Sequence, residues 1–311
     1  MAELPESRTP EGAGRRCGIV AIIGAPNAGK STLVNSLVGA KVTIVSRKVQ
    51  TTRVPVRGIA IEGVSQLVFI DTPGIFQPKR RLDKAMVDAA WSRAGDADST
   101  IVIVDAAKGA DDDLMPMLDK IAALGSKSVL VLNKIDHVAN KEALLALAAE
   151  LSGRLAFERV FMISALSGDG VGELKSYLAS VVPEGPWLYP EDELSDVPVR
   201  LLAAEVTREK IYDNLHDELP YQTAVETTAW KALKDGSVRI EQTIYVARDS
   251  QKRIVLGKGG QTIKKISSTA RAEIAGMIEQ PVHLFLFVKV RENWESDPER
   301  YREMGLEFPK E

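Results

Sequence analysis

The fold of the first part of the chain is decided by one stretch, Gly24-Ala25-Pro26-Asn27-Ala28-Gly29-Lys30-Ser31. It follows the apolar run 17–23 (CGIVAII) and leads into 32–37 (TLVNSL), so it joins a predicted strand to a predicted helix. A glycine-rich loop in this position directs backbone N–H groups and the positive end of the helix dipole at one point, which favours a bound phosphate. We expect Lys30 to reach the terminal phosphates and the Ser31 hydroxyl to ligate Mg²⁺. The alternative is an ordinary strand-to-helix turn with a solvated lysine.

The composition indicates a two-domain protein of the cytoplasm. The 311 residues exceed the length of one average domain. The sequence has no run of about 18 apolar residues and no charged-then-apolar secretory pattern at its start. The single cysteine, Cys17, can form no internal disulfide, which fits a reducing compartment. The net charge of −3 is an average that can hide a local basic surface.

Between residues 17 and 182, short apolar runs alternate with helix-like segments. This alternation predicts a mostly parallel sheet with helices on both faces, in which ligands bind beyond the carboxyl ends of the strands. After the first strand, the predicted strands are 54–61, 66–70, 100–104, 128–132 and 159–163. The predicted helices after the first lie near 82–94, 112–124, 141–151 and 171–181.

The tetrapeptide Asp71-Thr72-Pro73-Gly74 follows the predicted strand at 66–70. The Asp71 carboxylate is placed to hold Mg²⁺ through water, and the Gly74 N–H to contact a γ-phosphate. The next residue, Ile75, stands where Ras-like proteins have the glutamine that orients the attacking water. Because its side chain cannot orient water, we predict slow intrinsic hydrolysis. The water would then be held by the backbone, Mg²⁺, a partner or another ion such as K⁺, for which Asn27 is the hypothetical ligand.

Two further motifs follow predicted strands: Asn133-Lys134-Ile135-Asp136 and Ser164-Ala165-Leu166. The Asp136 carboxylate only accepts hydrogen bonds, so it suits the N1–H and N2–H₂ donors of guanine and rejects adenine. A backbone N–H of the second motif is placed to contact the guanine O6. Each motif alone is also typical of a turn or a helix start. Their shared position at strand ends favours one guanine nucleotide site, in which Thr32 is a further expected contact.

Two segments are predicted to respond to the nucleotide. The basic, polar stretch 41–53 (KVTIVSRKVQTTR) is the predicted switch I, and 74–81 is the predicted switch II. Thr52 is the predicted second protein ligand of Mg²⁺, with Thr51 as the alternative. A solvated loop without function is the other interpretation of switch I. The residues predicted to act in hydrolysis are Lys30, Thr52, Asp71 and Gly74.

A second domain is predicted beyond a linker at 183–198, which is rich in proline and acidic residues. Residues 199–291 give the order helix, strand, strand, helix, loop, helix, strand. The loop, Gly257-Lys258-Gly259-Gly260, matches the one with which KH domains clamp single-stranded RNA, and residues 248–271 hold seven Lys or Arg against one acid. A flexible helix–helix turn is the alternative. The predicted RNA contacts are Lys252, Arg253, Gly257, Lys258, Gly259, Gly260, Lys264 and Lys265.

With all these motifs in one chain, the sequence resembles the Era family of bacterial GTPases over roughly residues 17–300. The resemblance implies an α/β P-loop GTPase domain at 16–182 and an α+β type II KH domain at 199–291. It also implies binding to the 3′ end of 16S ribosomal RNA, a role in the assembly of the small (30S) subunit, and peripheral contact with the inner membrane. We expect a monomer. No function is assigned to the tails, 1–15 and 292–311.

Two other functions compete with this one. The first is a phosphotransferase that uses the same loop, with a small substrate in the second domain. The absence of an acceptor-activating His or carboxylate cluster in the sequence, together with the guanine-reading Asp136, disfavours it. The second is a membrane-associated signalling GTPase without an RNA role, which the basic KH-like loop disfavours.

Overall fold

The computed structural model describes residues 14–46, 48, 56–76, 78, 81–111, 114–215, 219 and 223–291. Thr51 and Thr52, for which a role as Mg²⁺ ligand is predicted above, lie outside the described residues, as does the C-terminal tail, 292–311. No helix in the described ranges is long and apolar enough to cross a membrane.

In the first domain, the described residues form one sheet of six strands, flanked by helices. The strands are β1 (Arg16–Ile23), β2 (Val56–Glu62), β3 (Ser65–Asp71), β4 (Ser99–Asp105), β5 (Ser128–Asn133) and β6 (Arg159–Met162). The helices are α1 (Lys30–Val38), α2 (Arg81–Gly95), α3 (Leu114–Leu124), α4 (Lys141–Arg154) and α5 (Val171–Val181). The strand order is β2-β3-β1-β4-β5-β6, and only the β2–β3 pair is antiparallel.

The sheet is covered on both faces, which is why its central strands read as continuous apolar runs. Successive residues of β1 alternate between two cores. Val20 and Ile22 pack into the core that contains α1 and α5, whereas Ala21 and Ile23 pack into the core that contains α3 and α4. Burial of both faces fixes the register of the sheet and brings the carboxyl ends of β1, β3, β4, β5 and β6 to one edge.

The second domain has the element order predicted from the sequence. Its elements are α6 (Val199–Asn214), β7 (Ala224–Ala232), β8 (Val238–Val246), α7 (Asp249–Leu256), α8 (Gln261–Ile278) and β9 (Val282–Val290). Strand β8 lies in the middle, antiparallel to β7 and parallel to β9. Apolar side chains of the three helices pack on one face of this sheet. The order α-β-β-α-α-β, with the sheet order β7-β8-β9, is that of a type II KH domain.

The segment between the domains is packed along the edge of the first sheet. The N–H of Ile59 in β2 donates to the Leu194 carbonyl at 2.9 Å, and Arg57 forms an ion pair with Asp196 at 2.8 Å. Strand β2 is an edge strand, whose outward backbone groups need partners. The linker predicted at 183–198 supplies some of these partners and so ties the second domain to the first.

Candidate functional site

The phosphate-binding loop, 24–31, links the end of β1 to the start of α1. Gly29, immediately before α1, has a left-handed φ of 102°, and a Cβ there would lie 2.2 Å from the side-chain nitrogen of Asn133. Only glycine satisfies both conditions. Among the described residues, no side chain caps the N-terminus of α1, so this helix end is available to an anion.

The Lys30 ammonium lies at the base of this loop. Its side chain is buried, and Nζ donates to the carbonyl oxygens of Gly24 at 3.1 Å and Ala25 at 2.8 Å. Burial lowers the pKa of Lys30 to about 8, and the nearby Asp71 carboxylate opposes that shift. A desolvated cation at the helix start is suited to bind phosphate oxygens, as the sequence predicts.

Hydroxyl groups surround the Asp71 carboxylate at the end of β3. Asp71 is fully buried, and its Oδ2 accepts hydrogen bonds from Ser31 Oγ at 2.7 Å and Thr43 Oγ1 at 2.9 Å. Hydroxyl and carboxylate oxygens beside a phosphate site are the ligands that Mg²⁺ prefers. The residues present therefore fit a magnesium ion, with Ser31 as the direct ligand and Asp71 behind it. Sequence reasoning missed Thr43, which had no motif of its own.

Asn133 braces three loops at the base-binding end of the site. Its Nδ2 donates to the Ala28 carbonyl at 2.8 Å, and its Oδ1 accepts from the Ala165 N–H at 2.9 Å. Lys134 Nζ extends this brace to the Asn27 carbonyl at 2.6 Å and to Asp105 at 2.7 Å. Asn133 thus ties the phosphate-binding loop to the loop after β6, and Lys134 ties it to the end of β4. Asp105, at the end of β4, was not predicted as part of the site.

Asp136 is the exposed carboxylate at this end of the site. A hydrogen bond with the Ser164 side chain is the main cause that lowers its pKa, so the group is held as an acceptor. His137 Nε2 lies 3.4 Å from Asp136 Oδ2. The carboxylate and the neighbouring loop 164–166 both line the same cavity, as a guanine site requires.

A cavity of about 980 Å³ connects the phosphate and base ends. Its walls include most of the predicted nucleotide residues and several that were not predicted. The predicted residues that line it are Pro26, Asn27, Gly29, Lys30, Ser31, Thr32, Gly74, Asn133, Lys134, Asp136, Ser164, Ala165 and Leu166. The additional ones are Ile44, Val45, Ser46, Lys48, Lys108, His137, Tyr212 and Asp213. Because Tyr212 and Asp213 belong to α6, the second domain forms part of the wall.

Other predicted residues support the site from behind. The Thr72 hydroxyl donates to the Ile22 carbonyl at 2.6 Å, and the Ile75 N–H donates to the Gly24 carbonyl at 3.1 Å. The Ile135 N–H donates to the Ile163 carbonyl at 3.2 Å. The residues that do not line the cavity are Gly24, Ala25, Ala28, Asp71, Thr72, Pro73, Ile75 and Ile135.

The described part of switch I does not fit the alternative interpretation of this segment as a solvated loop. In its described part, Val42, Thr43 and Ile44 are all buried. Val42 packs into the core of the first domain, whereas Ile44 packs into the core of the second. The sequence could not show this, because the pocket that receives Ile44 is formed by residues about 160 positions or more further along the chain.

The predicted RNA loop connects α7 to α8. Gly257, Gly259 and Gly260 all have positive φ values, of 74°, 59° and 76°. Around this turn Arg253, Lys258, Lys264 and Lys265 are exposed, and Lys252 is half-buried. Ile254, beside the turn, is 56% exposed. A glycine turn at the start of a helix, with exposed cations around it, suits a phosphate backbone.

Comparison with protein families and known proteins agrees with both halves of this description. A family described as 50S ribosome-binding GTPase matches residues 19–134, and the KH domain family matches residues 218–295. GTPase Era of Bradyrhizobium sp. strain BTAi1 is 64% identical over 306 residues, covering 98% of this chain and 99% of the relative. GTPase Era of Rhizobium meliloti is 62% identical over 295 residues, covering 95% of this chain and 94% of the relative.

Two solved structures are similar over nearly the whole chain. One is Era in complex with MgGDPNP and nucleotides 1506–1542 of 16S ribosomal RNA, with a TM-score of 0.88 and 37% identity. The match covers 94% of this chain and 99% of the chain in that structure. The other is a variant of Aquifex aeolicus Era bound to GDP·AlF₄⁻, with a TM-score of 0.88 and 38% identity. This second match covers 93% of this chain and 99% of the chain in that structure.

Proposed function

The chain belongs to the Era family of GTPases, and we propose that it is a GTP-controlled RNA-binding protein that acts in the assembly of the small ribosomal subunit. The observation that carries the proposal is the cavity that holds both a phosphate-binding loop and a guanine-selective carboxylate and is walled partly by the RNA-binding domain. A ligand that fills this cavity would contact both domains.

The chain hydrolyses GTP to GDP and phosphate. When bound, Mg²⁺ neutralises charge on the β- and γ-phosphates. The residues of this chain bind and orient the phosphates: Lys30 supplies a cation, α1 supplies its N-terminus, and Gly74 borders the place of the γ-phosphate. Ile75 offers no polar group to orient the attacking water, so we expect slow hydrolysis without a partner.

The RNA partner follows from the second domain. The exposed cations and glycine turn between α7 and α8 suit the backbone of a single strand. The solved relative holds nucleotides 1506–1542 of 16S ribosomal RNA and matches 94% of this chain, whereas the family description that mentions the 50S subunit matches only residues 19–134. We therefore favour RNA of the small subunit as the target.

The experiment that tests this proposal is crosslinking of the full chain to total cellular RNA, with a non-hydrolysable GTP analogue and with GDP. We expect enrichment of the 3′ end of 16S ribosomal RNA with the GTP analogue. A chain that crosslinks to no RNA, or that enriches no ribosomal site over bulk RNA, would contradict the proposal.

Lys30 gives GDP binding a distinct pH dependence. Its pKa is about 8 in the nucleotide-free protein, and bound phosphates raise it because they favour the charged form. The affinity for GDP is therefore highest below pH 8, where Lys30 is charged. It falls as the pH rises further, by up to about tenfold per pH unit. Titration with fluorescent GDP between about pH 6.5 and pH 9.5 measures this decline. Lys30→Arg, which stays charged, should show a flatter profile. A constant affinity in the native chain would show that Lys30 does not bind the phosphates.

Three further parts of the proposal have narrower support. Asn27 lines the cavity, and a K⁺ ion bound beside it would stimulate GTP hydrolysis. Equal rates of GTP hydrolysis in K⁺ and in Na⁺ would exclude a K⁺ site at Asn27. The single cysteine and the composition favour a cytoplasmic location. Peripheral contact with the inner membrane is implied by the family resemblance and is tested by flotation with vesicles. The monomeric state is tested by sedimentation.

A further inference from the structure

Thr43 is the one switch I side chain among the described residues that bonds to the magnesium carboxylate. Its hydroxyl is buried and lies 2.9 Å from Asp71 Oδ2, the same oxygen that Ser31 contacts at 2.7 Å. Two donors on one oxygen fix the rotation of the carboxylate. Ser31 is the expected metal ligand, so Thr43 is the donor whose role the nucleotide motifs leave unexplained.

The backbone of Thr43 is clamped from the first domain. Asn35 in α1 accepts hydrogen bonds from the N–H groups of Val42 at 2.9 Å and Thr43 at 3.0 Å. Its Nδ2 donates to the Thr43 carbonyl at 2.8 Å. Both backbone groups of Thr43 are therefore bound by the helix that starts at the phosphate site.

The neighbours of Thr43 are held by the second domain. Lys41 forms ion pairs with Glu209 in α6, at 2.7 Å, and with Glu273 in α8. Ile44 is 2% exposed and packs among residues of α6, β8 and α8. The Val45 N–H donates to Glu209 Oε2 at 3.2 Å. The segment 41–45 thus contacts the KH domain on both sides of the residue that bonds to Asp71.

We propose that Thr43 is a positioning residue for the magnesium site and that the KH domain, through Lys41 and Ile44, holds it against Asp71. The inference rests on the guanine nucleotide site of the proposed function but not on RNA binding. Asn35 holds the Thr43 backbone from the first domain, so displacement of α6 and α8 would remove only the contacts of Lys41 and Ile44 and would weaken, without abolishing, the hold of Thr43 on the Asp71 carboxylate. By linkage, a ligand that stabilises the docked KH domain must then raise the affinity for Mg²⁺.

The test compares Thr43→Val, which keeps the shape and removes the hydroxyl, with Thr43→Ser, which keeps the hydroxyl. Binding and release of fluorescent GDP by the full chain are measured over a range of Mg²⁺ concentrations and in EDTA. The Mg²⁺ midpoint is the Mg²⁺ concentration at which half of the Mg²⁺-dependent change in GDP binding has occurred. We expect Thr43→Val to raise this midpoint by about tenfold, since groups that orient metal ligands have effects of this order. Its GDP affinity in EDTA should be unchanged. Thr43→Ser should match the native chain.

Lys41→Met tests whether the second domain helps to hold Thr43, because this change removes both ion pairs of Lys41 and keeps an unbranched side chain. We expect a smaller shift of the Mg²⁺ midpoint in the same direction. Lys231→Met, at an exposed position in β7, is the matched control and should have no effect. Circular dichroism melting confirms that each variant is folded.

Each result bears on a separate claim. A native Mg²⁺ midpoint in folded Thr43→Val would overturn the inference, as would equal shifts in Thr43→Val and Thr43→Ser. A native midpoint in Lys41→Met would overturn the role given to the ion pairs of Lys41 with α6 and α8. GDP binding by the native chain that ignores Mg²⁺ altogether would instead contradict the magnesium site of the proposed function.

Discussion

Asp136→Asn should lower the affinity for GDP by about two to three orders of magnitude and create affinity for xanthosine diphosphate. The Asp136 carboxylate accepts from both N1–H and N2–H₂ of guanine. An asparagine amide can accept from N1–H, but it presents a donor where guanine also has one. Xanthine carries an oxygen at that position, so it accepts the hydrogen bond that guanine cannot.

The measurement is a competition titration of the two diphosphates against a fluorescent nucleotide. Asp96→Asn, at an exposed carboxylate that does not line the cavity, is the control and should keep the native preference. Asp136 is exposed, and an asparagine oxygen can still accept the hydrogen bond from Ser164, so the variant should keep the stability of the native chain. If the variant still prefers guanosine diphosphate, the guanine base does not bind at Asp136.

Gly259→Asp should reduce RNA binding by at least about a hundredfold while GDP binding stays native. Gly259 has a φ of 59°, and a Cβ there meets nothing within 4 Å, so the residue has room but takes a strained backbone conformation. The main effect is electrostatic, because the carboxylate would stand where the glycine turn approaches a phosphate. Fluorescence anisotropy with a labelled RNA of the 16S 3′ end measures it.

Gly259→Asn separates charge from backbone strain. Asparagine has the shape of aspartate and tolerates the same φ, but it carries no charge. We expect it to lose much less RNA affinity than the aspartate variant. Equal losses in the two variants would mean that backbone conformation, and not phosphate contact, explains the effect. Native RNA binding by folded Gly259→Asp would exclude this loop from the interface.

The sequence predicted those parts of the molecule that depend on local pattern. The predicted strand 100–104 corresponds to β4 at 99–105, and the predicted strand 128–132 corresponds to β5 at 128–133, because both are continuous apolar runs that the fold buries.

Features that depend on packing between distant segments were beyond the sequence. The role of Thr43 requires Asp71 and Asn35 to meet it in space, and the burial of Ile44 requires the second domain. The brace formed by Asn133 is similar, because its partners at Ala28 and Ala165 lie on other loops. A motif identified Asn133, but only the fold shows that its side chain binds protein.

The central claim is that the guanine nucleotide governs the RNA affinity of the second domain. The most direct measurement is the affinity of the full chain for the 16S 3′-end RNA, taken with saturating GTP analogue and again with saturating GDP, both with Mg²⁺. Switch I is predicted to respond to the nucleotide, and its residues Lys41 and Ile44 contact α6 and α8. We therefore expect RNA affinities that differ by about tenfold or more, with the tighter binding in the GTP analogue. Equal affinities in the two nucleotides would contradict the account.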